Sequence, residues 1–207
     1  VPMIRRFAVS ALATALSLVV ACGSPKRPES AADEELLDGH ESNVTKEPTP
    51  SGNVKKGASQ LESGDVKGAR SSFEGALALD PKDVEAHYYM GVIAEKDGDK
   101  AAAETRYKTA LSFRDDFEPA ALNAAALATE ARRFDDALAY LKAARDSHPD
   151  NVGLWLNSAI AFAEKGDENE AHRTFGEAVK RGETDPLVHL TFAHWLGRWK
   201  RREKAVE

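Results

Sequence analysis

The chain has little that would cross-link it, bind nucleic acid or build a sheet core. It has one cysteine, Cys22, in 207 residues, so no internal disulfide can form. Lys and Arg number 28 against 34 Asp and Glu, and the net charge of −6 argues against a nucleic-acid surface. Aromatic residues are only 7%. Alanine dominates the apolar set, which suits long helices rather than a sheet core. The six histidines are His40, His87, His148, His172, His189 and His194; none forms HExxH, and no two stand at i, i+4. There is no GxSxG and no glycine-rich phosphate loop. Asp115-Asp116 and Asp135-Asp136 read as caps or solvated charge, and Trp155, Trp195 and Trp199 as packing residues. The expectation is a non-enzymatic protein with no catalytic, metal or cofactor site.

What the sequence does contain is a period. Ala69, Ala103, Ala137, Ala171 and Ala205 are each 34 residues apart, with no insertion or deletion between them. Three further ladders keep the same register: Gly57, Gly91, Ala125, Ala159, Ala193; Phe73, Tyr107, Leu141, Phe175; and Ala76, Ala110, Ala144, Ala178. A period of 34 with small residues at helical spacing indicates repeated helix pairs. The small residues let helices approach closely, and the large one fills the groove beside them.

The repeats begin near Pro50, Val84, Glu118, Val152 and Pro186. The turn inside a repeat carries Gly64-Asp65, Gly98-Asp99 and Gly166-Asp167. The glycine suits a left-handed C-cap of helix A, and the aspartate an N-cap of helix B. Repeat three departs with Arg132-Arg133-Phe134-Asp135, where Asp135 is the expected cap. Between repeats, Asp80-Pro81 and His148-Pro149 end helix B. Pro119 and Pro186 fall in the first turn of the next helix A, where proline is tolerated.

The first 22 residues, VPMIRRFAVSALATALSLVVAC, have a positive start at Arg5 and Arg6 and an apolar run from Phe7 to Val20. Fourteen residues suit a signal-peptide core better than a membrane span. The ending Val19-Val20-Ala21-Cys22 resembles a bacterial lipobox. That resemblance implies cleavage before Cys22 and lipid on its thiol; cleavage after Ala21 without lipid, and an uncleaved anchor, are the other readings. With Gly23 rather than Asp after the cysteine, the resemblance implies the outer membrane. Losing Arg5 and Arg6 would take the net charge from −6 to −8.

Residues 22–49 read as a tether. From Gly23 to Gly52 there are four prolines, and seven acidic residues face Lys26, Arg27 and Lys46. Such a stretch cannot bury enough apolar surface to offset chain entropy and is expected to be disordered. Ala31–Leu37, AADEELL, is the exception and suits a turn or two of helix. The main reading is a passive spacer; docking of Leu36 and Leu37 on the repeats or on a partner is the alternative.

Residues 50–207 resemble the tetratricopeptide repeat (TPR), with a small residue at position 8, Ala at 20, an aromatic at 24 and Ala at 27. The aromatic of position 4 appears only as Trp155; His87 and His189 stand in for it, and Asn53 and Ala121 depart. The resemblance implies an all-α fold: a right-handed superhelix, or α-solenoid, of antiparallel helix pairs, with a groove lined by helix A. Asn53, Lys56 and Gln60 suit an N-terminal capping repeat. The array is read as four repeats plus a truncated fifth. Helix B of the fifth would begin near Lys200, leaving Trp195, Leu196 and Trp199 short of a packing partner; a longer native array is the expected explanation.

In this family, positions 5 and 9 of helix A face the groove. They read Val54, Tyr88, Leu122, Leu156 and Leu190, then Ala58, Val92, Ala126, Ile160 and His194, a mostly apolar stripe suited to an extended peptide or helix. The alternative is that these side chains pack between neighbouring A helices. Asn123 and Asn157, both at position 6, suit a peptide backbone. The basic clamp of chaperone-tail-binding relatives is missing. Glu62, Glu85, Glu95, Glu130 and Glu164 on the rim favour a partner of some basic character.

Together these features suggest a periplasm-facing scaffold, lipid-anchored through Cys22 to a bacterial outer membrane. Envelope proteins are its expected partners, rather than nucleic acid or a small-molecule substrate. At the level of architecture it is similar to repeat lipoproteins of type IV pilus and gliding-motility complexes. The other readings are an adaptor for peptidoglycan hydrolases or outer-membrane protein assembly, and a targeting arm for an enzyme domain beyond residue 207.

Overall fold

Turn chemistry sets the outline. A computed structural model describes residues 49–206, with side chains through Lys200. The signal peptide, Cys22 and nearly all of the tether lie outside the described residues. Within them the chain is helical: α1 (Pro50–Glu62), α2 (Val66–Leu79), α3 (Val84–Lys96), α4 (Lys100–Phe113), α5 (Glu118–Glu130), α6 (Phe134–Ser147), α7 (Val152–Lys165), α8 (Glu168–Arg181) and α9 (Pro186–Val206). The odd-numbered helices are the A helices. α1–α2, α3–α4, α5–α6 and α7–α8 pack as pairs, and successive pairs stack on one another.

Gly64, Gly98 and Gly166 take φ of 85°, 82° and 90°, as the turn inside each repeat requires. Asp65, Asp99 and Asp167 then cap the B helices, accepting hydrogen bonds from the backbone N–H of Gly68, Ala102 and Glu170 at 2.9, 2.9 and 3.3 Å. Each cap of this type contributes about 1 kcal/mol. Repeat three corrects the expectation placed on Asp135. The N-cap of α6 is Arg133, with no side-chain cap hydrogen bond, and Asp135 lies in the first turn. The register of the turn is kept, so Arg132 occupies the place of the glycines and takes a φ of 61°.

The ladders form the core. Ala69, Ala103, Ala137 and Ala171 are each 0% exposed, as are Ala76, Ala110, Ala144 and Ala178. Phe73, Tyr107, Leu141 and Phe175 fill the space between helices at 0 to 1%. Burying a side chain of that size contributes roughly 1.5–3 kcal/mol, so this ladder is a main source of cohesion. Surface ion pairs tie each repeat to the next: Arg70–Asp97 at 2.5 Å, Arg133–Glu104 at 2.6 Å, Lys165–Asp135 at 2.5 Å, Arg198–Glu164 at 2.8 Å, and Lys100–Glu130. Exposed pairs contribute about 0–1 kcal/mol each and act more on register than on stability.

The fifth repeat differs from the expectation. No turn forms near Lys200; α9 runs unbroken to Val206 and includes Ala205. Lys200 and Arg201 stand where other repeats have Gly-Asp, and the helix-favouring residues around them continue the helix. Trp195 and Trp199 do not lack partners. Trp195 is 8% exposed. It lies 5.3 Å from the ring of Phe175 and stacks on Trp199 at 5.7 Å. Trp199 Nε1 donates to Glu168 at 2.6 Å. The aromatic side of α9 therefore packs on α8.

Candidate functional site

The A helices set the positions of the expected groove residues, and the structure divides those residues. Leu122 and Leu156 are only 9% and 3% exposed and belong to the core. Leu122 lies against Gly153 of the next A helix, where a β-carbon would sit 4.0 Å from both of its methyl groups. Position 5 is thus largely a seam between successive A helices, and Val54 at 4% follows the same rule. Tyr88, Val92, Ala126 and Ile160 remain half-buried, with apolar surface available. Leu190 and His194 are exposed, Leu190 at 69%. The continuous stripe read from the sequence is therefore a set of half-exposed residues interrupted by two buried leucines.

Tyr88 anchors the first half. Its ring meets Tyr89 at 5.2 Å, Tyr107 at 5.8 Å and Phe117 edge-on at 5.6 Å. Burial, followed by the charges of Tyr89 and Glu95, pushes its phenol up to about 12. Tyr89 stacks on Phe73 at 4.9 Å; burial and then the charges of Glu85 and Glu62 raise its phenol as well.

The two asparagines do not present free amides. Asn123 Nδ2 donates to Tyr107 Oη at 3.2 Å, and the Tyr107 hydroxyl donates to Glu95. Asn157 Nδ2 donates to the Gly153 carbonyl at 2.9 Å within its own helix. This Glu95–Tyr107–Asn123 relay was not read from the sequence. The equivalent of Glu95 in repeat one is Leu61, so no repeated signal marked the relay; a separate polar bridge there joins Ser72 to Gln60 Oε1 at 2.7 Å.

The acidic rim is also smaller than expected. Glu130 and Glu164 are paired with Lys100 and Arg198, and Glu95 holds Tyr107. Among the described residues, Glu62, Glu85 and Glu95 are the rim carboxylates with no cation within ion-pair distance, and of these Glu95 is engaged by the Tyr107 hydroxyl. Glu62 lies on α1 and Glu85 on α3.

Elsewhere, a cleft between repeats two and three is lined by Lys100, Glu104, Leu127, Glu130 and Arg133. Its charges are satisfied by the Lys100–Glu130 and Arg133–Glu104 pairs, which leaves it a structural seam. Among the described residues no group of three or more His, Cys, Asp or Glu is placed to hold a metal. No described helix is long and apolar enough to cross a membrane.

Residues 55–183 match the family model described as the cilia and flagella-associated protein 70 middle TPR-like domain. Solved structures share the fold at low identity. One, from the functional characterisation of Pseudomonas aeruginosa PilF, is 21% identical with a TM-score of 0.64, covering 74% of this chain and 69% of that one. MamA from Desulfovibrio magneticus is 17% identical with a TM-score of 0.64, covering 76% and 89%. A tetratricopeptide repeat protein from Parabacteroides merdae is 16% identical with a TM-score of 0.64, covering 79% and 64%. No curated protein matches the chain significantly.

Proposed function

Because this chain belongs to the TPR-like family, a fold of protein-interaction scaffolds, we propose that it recruits an envelope protein to a bacterial outer membrane while anchored by lipid on Cys22. The observation that carries the scaffold reading is the half-exposed apolar set Tyr88, Val92, Ala126 and Ile160, held by a rigid array of A helices. Leu190 and His194 extend it on α9. An extended segment seated there would meet apolar side chains along its length and the unpaired carboxylates of Glu62 and Glu85 at one end. Asn123 and Asn157 contribute their carbonyl oxygens, since an amide nitrogen hydrogen of each is already engaged.

The anchoring part rests on the sequence Val19-Val20-Ala21-Cys22 after a short apolar run. Several acyl chains at about 0.8 kcal/mol per buried CH₂ would hold the protein firmly at a bilayer, facing the periplasm. The machine it serves is read as a type IV pilus or gliding-motility complex, the setting of lipoproteins of similar architecture. Crosslinking in intact envelopes followed by affinity capture is the deciding experiment. The expected result is an envelope partner whose recovery falls with Val92→Asp plus Ile160→Asp and persists in Leu79→Asp, an exposed site off the A helices. Recovery indifferent to the groove substitutions would sink the reading. In parallel, Cys22→Ala should abolish lipid labelling and release the protein from membranes.

A further inference from the structure

The groove changes chemistry at α3. Glu85, Tyr89 and Val92 stand at i, i+4 and i+7, so they share one side of that helix. Tyr89 is half-buried. One face of its ring is taken by Phe73, stacked at 4.9 Å and 6°. The Phe73 ring in turn lies against α1, where a β-carbon on Gly57 would sit 2.6 Å away. Leu61 of α1 packs on the same cluster as Tyr89, and Glu62 is the next residue. After burial, the charges of Glu85 and then Glu62 raise the Tyr89 phenol, so both carboxylates are felt at this ring. Both are exposed, and neither has a cation within ion-pair distance among the described residues.

Among the described residues nothing hydrogen-bonds the Tyr89 hydroxyl. Lys55 of α1 holds the position of Tyr89 one repeat earlier, and Lys96 lies two turns, about 10 Å, beyond Tyr89 on α3. Neither is among the charges that act on the Tyr89 phenol. Three oxygen groups from two helices therefore gather around one ring. The donor that fits them is planar and multidentate. A guanidinium offers five N–H donors in a fixed fork, enough for two carboxylates and a phenol oxygen, and its aliphatic stem can cover apolar surface such as Val92. An ammonium offers three donors around a point charge. Further along the groove, Glu130 and Glu164 are already taken by Lys100 and Arg198, so the α1–α3 step is where a partner's cation meets no such competitor.

The next A helices set the spacing. Ala126 on α5 and Ile160 on α7 are half-buried. Neighbouring A helices stand roughly 8–10 Å apart, and an extended chain advances about 3.3–3.6 Å per residue, so it crosses one helix about every three residues. We propose that the groove's occupant is an extended peptide segment carrying an arginine, seated at Tyr89 between Glu62 and Glu85, with apolar residues about three and six positions away against Ala126 and Ile160. This inference rests on the groove reading above and adds to it the identity and register of the residue that is read.

The test uses the full chain and a library of nonapeptides, acetylated and amidated to remove terminal charge, and varied over Arg, Lys, Gln, Glu, Leu and Ser. Sequencing of the retained peptides should show arginine enriched at one position and leucine about three and six residues from it. In fluorescence anisotropy, replacing that arginine by glutamine should weaken binding about tenfold, and replacing it by lysine roughly threefold. Glu62→Gln with Glu85→Gln should make the arginine and glutamine peptides bind alike while leucine selection and the helical circular dichroism signal persist. Tyr89→Phe keeps the ring on Phe73 and should reduce the arginine preference in part. Leucine selection without arginine, arginine selection indifferent to Glu62 and Glu85, or equal binding of the lysine and arginine peptides would overturn this inference and leave the groove reading standing. Leucine selection indifferent to Val92→Asp plus Ile160→Asp would instead remove the groove reading. Retention of no peptide would overturn both, and self-association in sedimentation would then give the groove to a second copy.

Discussion

Gly91 packs directly against the ring of Tyr107: a β-carbon there would sit 2.4 Å from Tyr107 Cε1. Repeat three solves the same crossing with Ala125 and Leu141, which trades ring volume for a methyl. Gly91→Ala should therefore destabilise the array by about 1–3 kcal/mol through overpacking, despite alanine's better helix propensity. Adding Tyr107→Leu should relieve the clash, so the double variant should lose less than the sum of the singles. Urea titration followed by circular dichroism measures all four species of the cycle; strict additivity would contradict the packing account.

The ring nitrogen of His87 lies 3.0 Å from the Pro81 carbonyl, six residues back. Trp155 Nε1 makes the same bond to Pro149 at 2.7 Å, and His189 Nε2 to Glu183 at 2.7 Å. Histidine thus replaces tryptophan at position 4 by supplying the same donor. His87→Phe should cost roughly 1–3 kcal/mol because the Pro81 carbonyl is left unpaired. Trp155→Phe should cost less, since Arg181 Nε also donates to Pro149 at 2.5 Å. Thermal melts of the two variants would reverse in order if the bond were incidental.

Arg132 holds a φ of 61° where three other repeats use glycine. Arg132→Gly removes that strain and should stabilise the protein by about 0.5–1 kcal/mol, less any loss of the contact between the guanidinium and the Phe134 ring at 5.4 Å. A lowered melting temperature would show that the ring contact outweighs the backbone.

Alkali should unfold the second repeat first. The Tyr88 phenol is raised from 10.0 to about 12, chiefly by burial, and that of Tyr107 is raised too by burial and by its bond to Glu95. A raised folded value contributes stability that is complete below the unfolded value of 10.0 and is lost as pH climbs through about 12. At the acid end the sign is opposite. Arg133 holds Glu104 below its usual range, so its contribution is present above 4.5 and is lost on further acidification. Urea midpoints from pH 9 to 12 should fall for the natural chain and fall less for Tyr88→Phe.

Leu122→Asp and Leu156→Asp report on the core rather than on ligand capture. Each would bury an unpaired charge at a site 9% or 3% exposed, and loss of helical signal is the expected outcome. Retained helicity would return these leucines to the groove surface.

The 34-residue ladders were enough to read helix pairing, the buried alanines and the Gly-Asp turns, because each depends on local spacing and on which residues tolerate close approach or positive φ. Position 5 was not legible in the same way. Val54, Leu122, Leu156 and Leu190 are alike as letters, yet three are buried and the fourth is 69% exposed. What covers a side chain is decided by the neighbouring helix, which periodicity does not weigh. The relay of Glu95, Tyr107 and Asn123 was hidden for the same reason, as its members stand 12 and 16 residues apart on three helices. By itself the sequence determined the repeat and its register, through backbone and side-chain preferences acting within one helix pair. Only the tertiary structure decided which apolar residues became surface, because that follows from how successive pairs pack together.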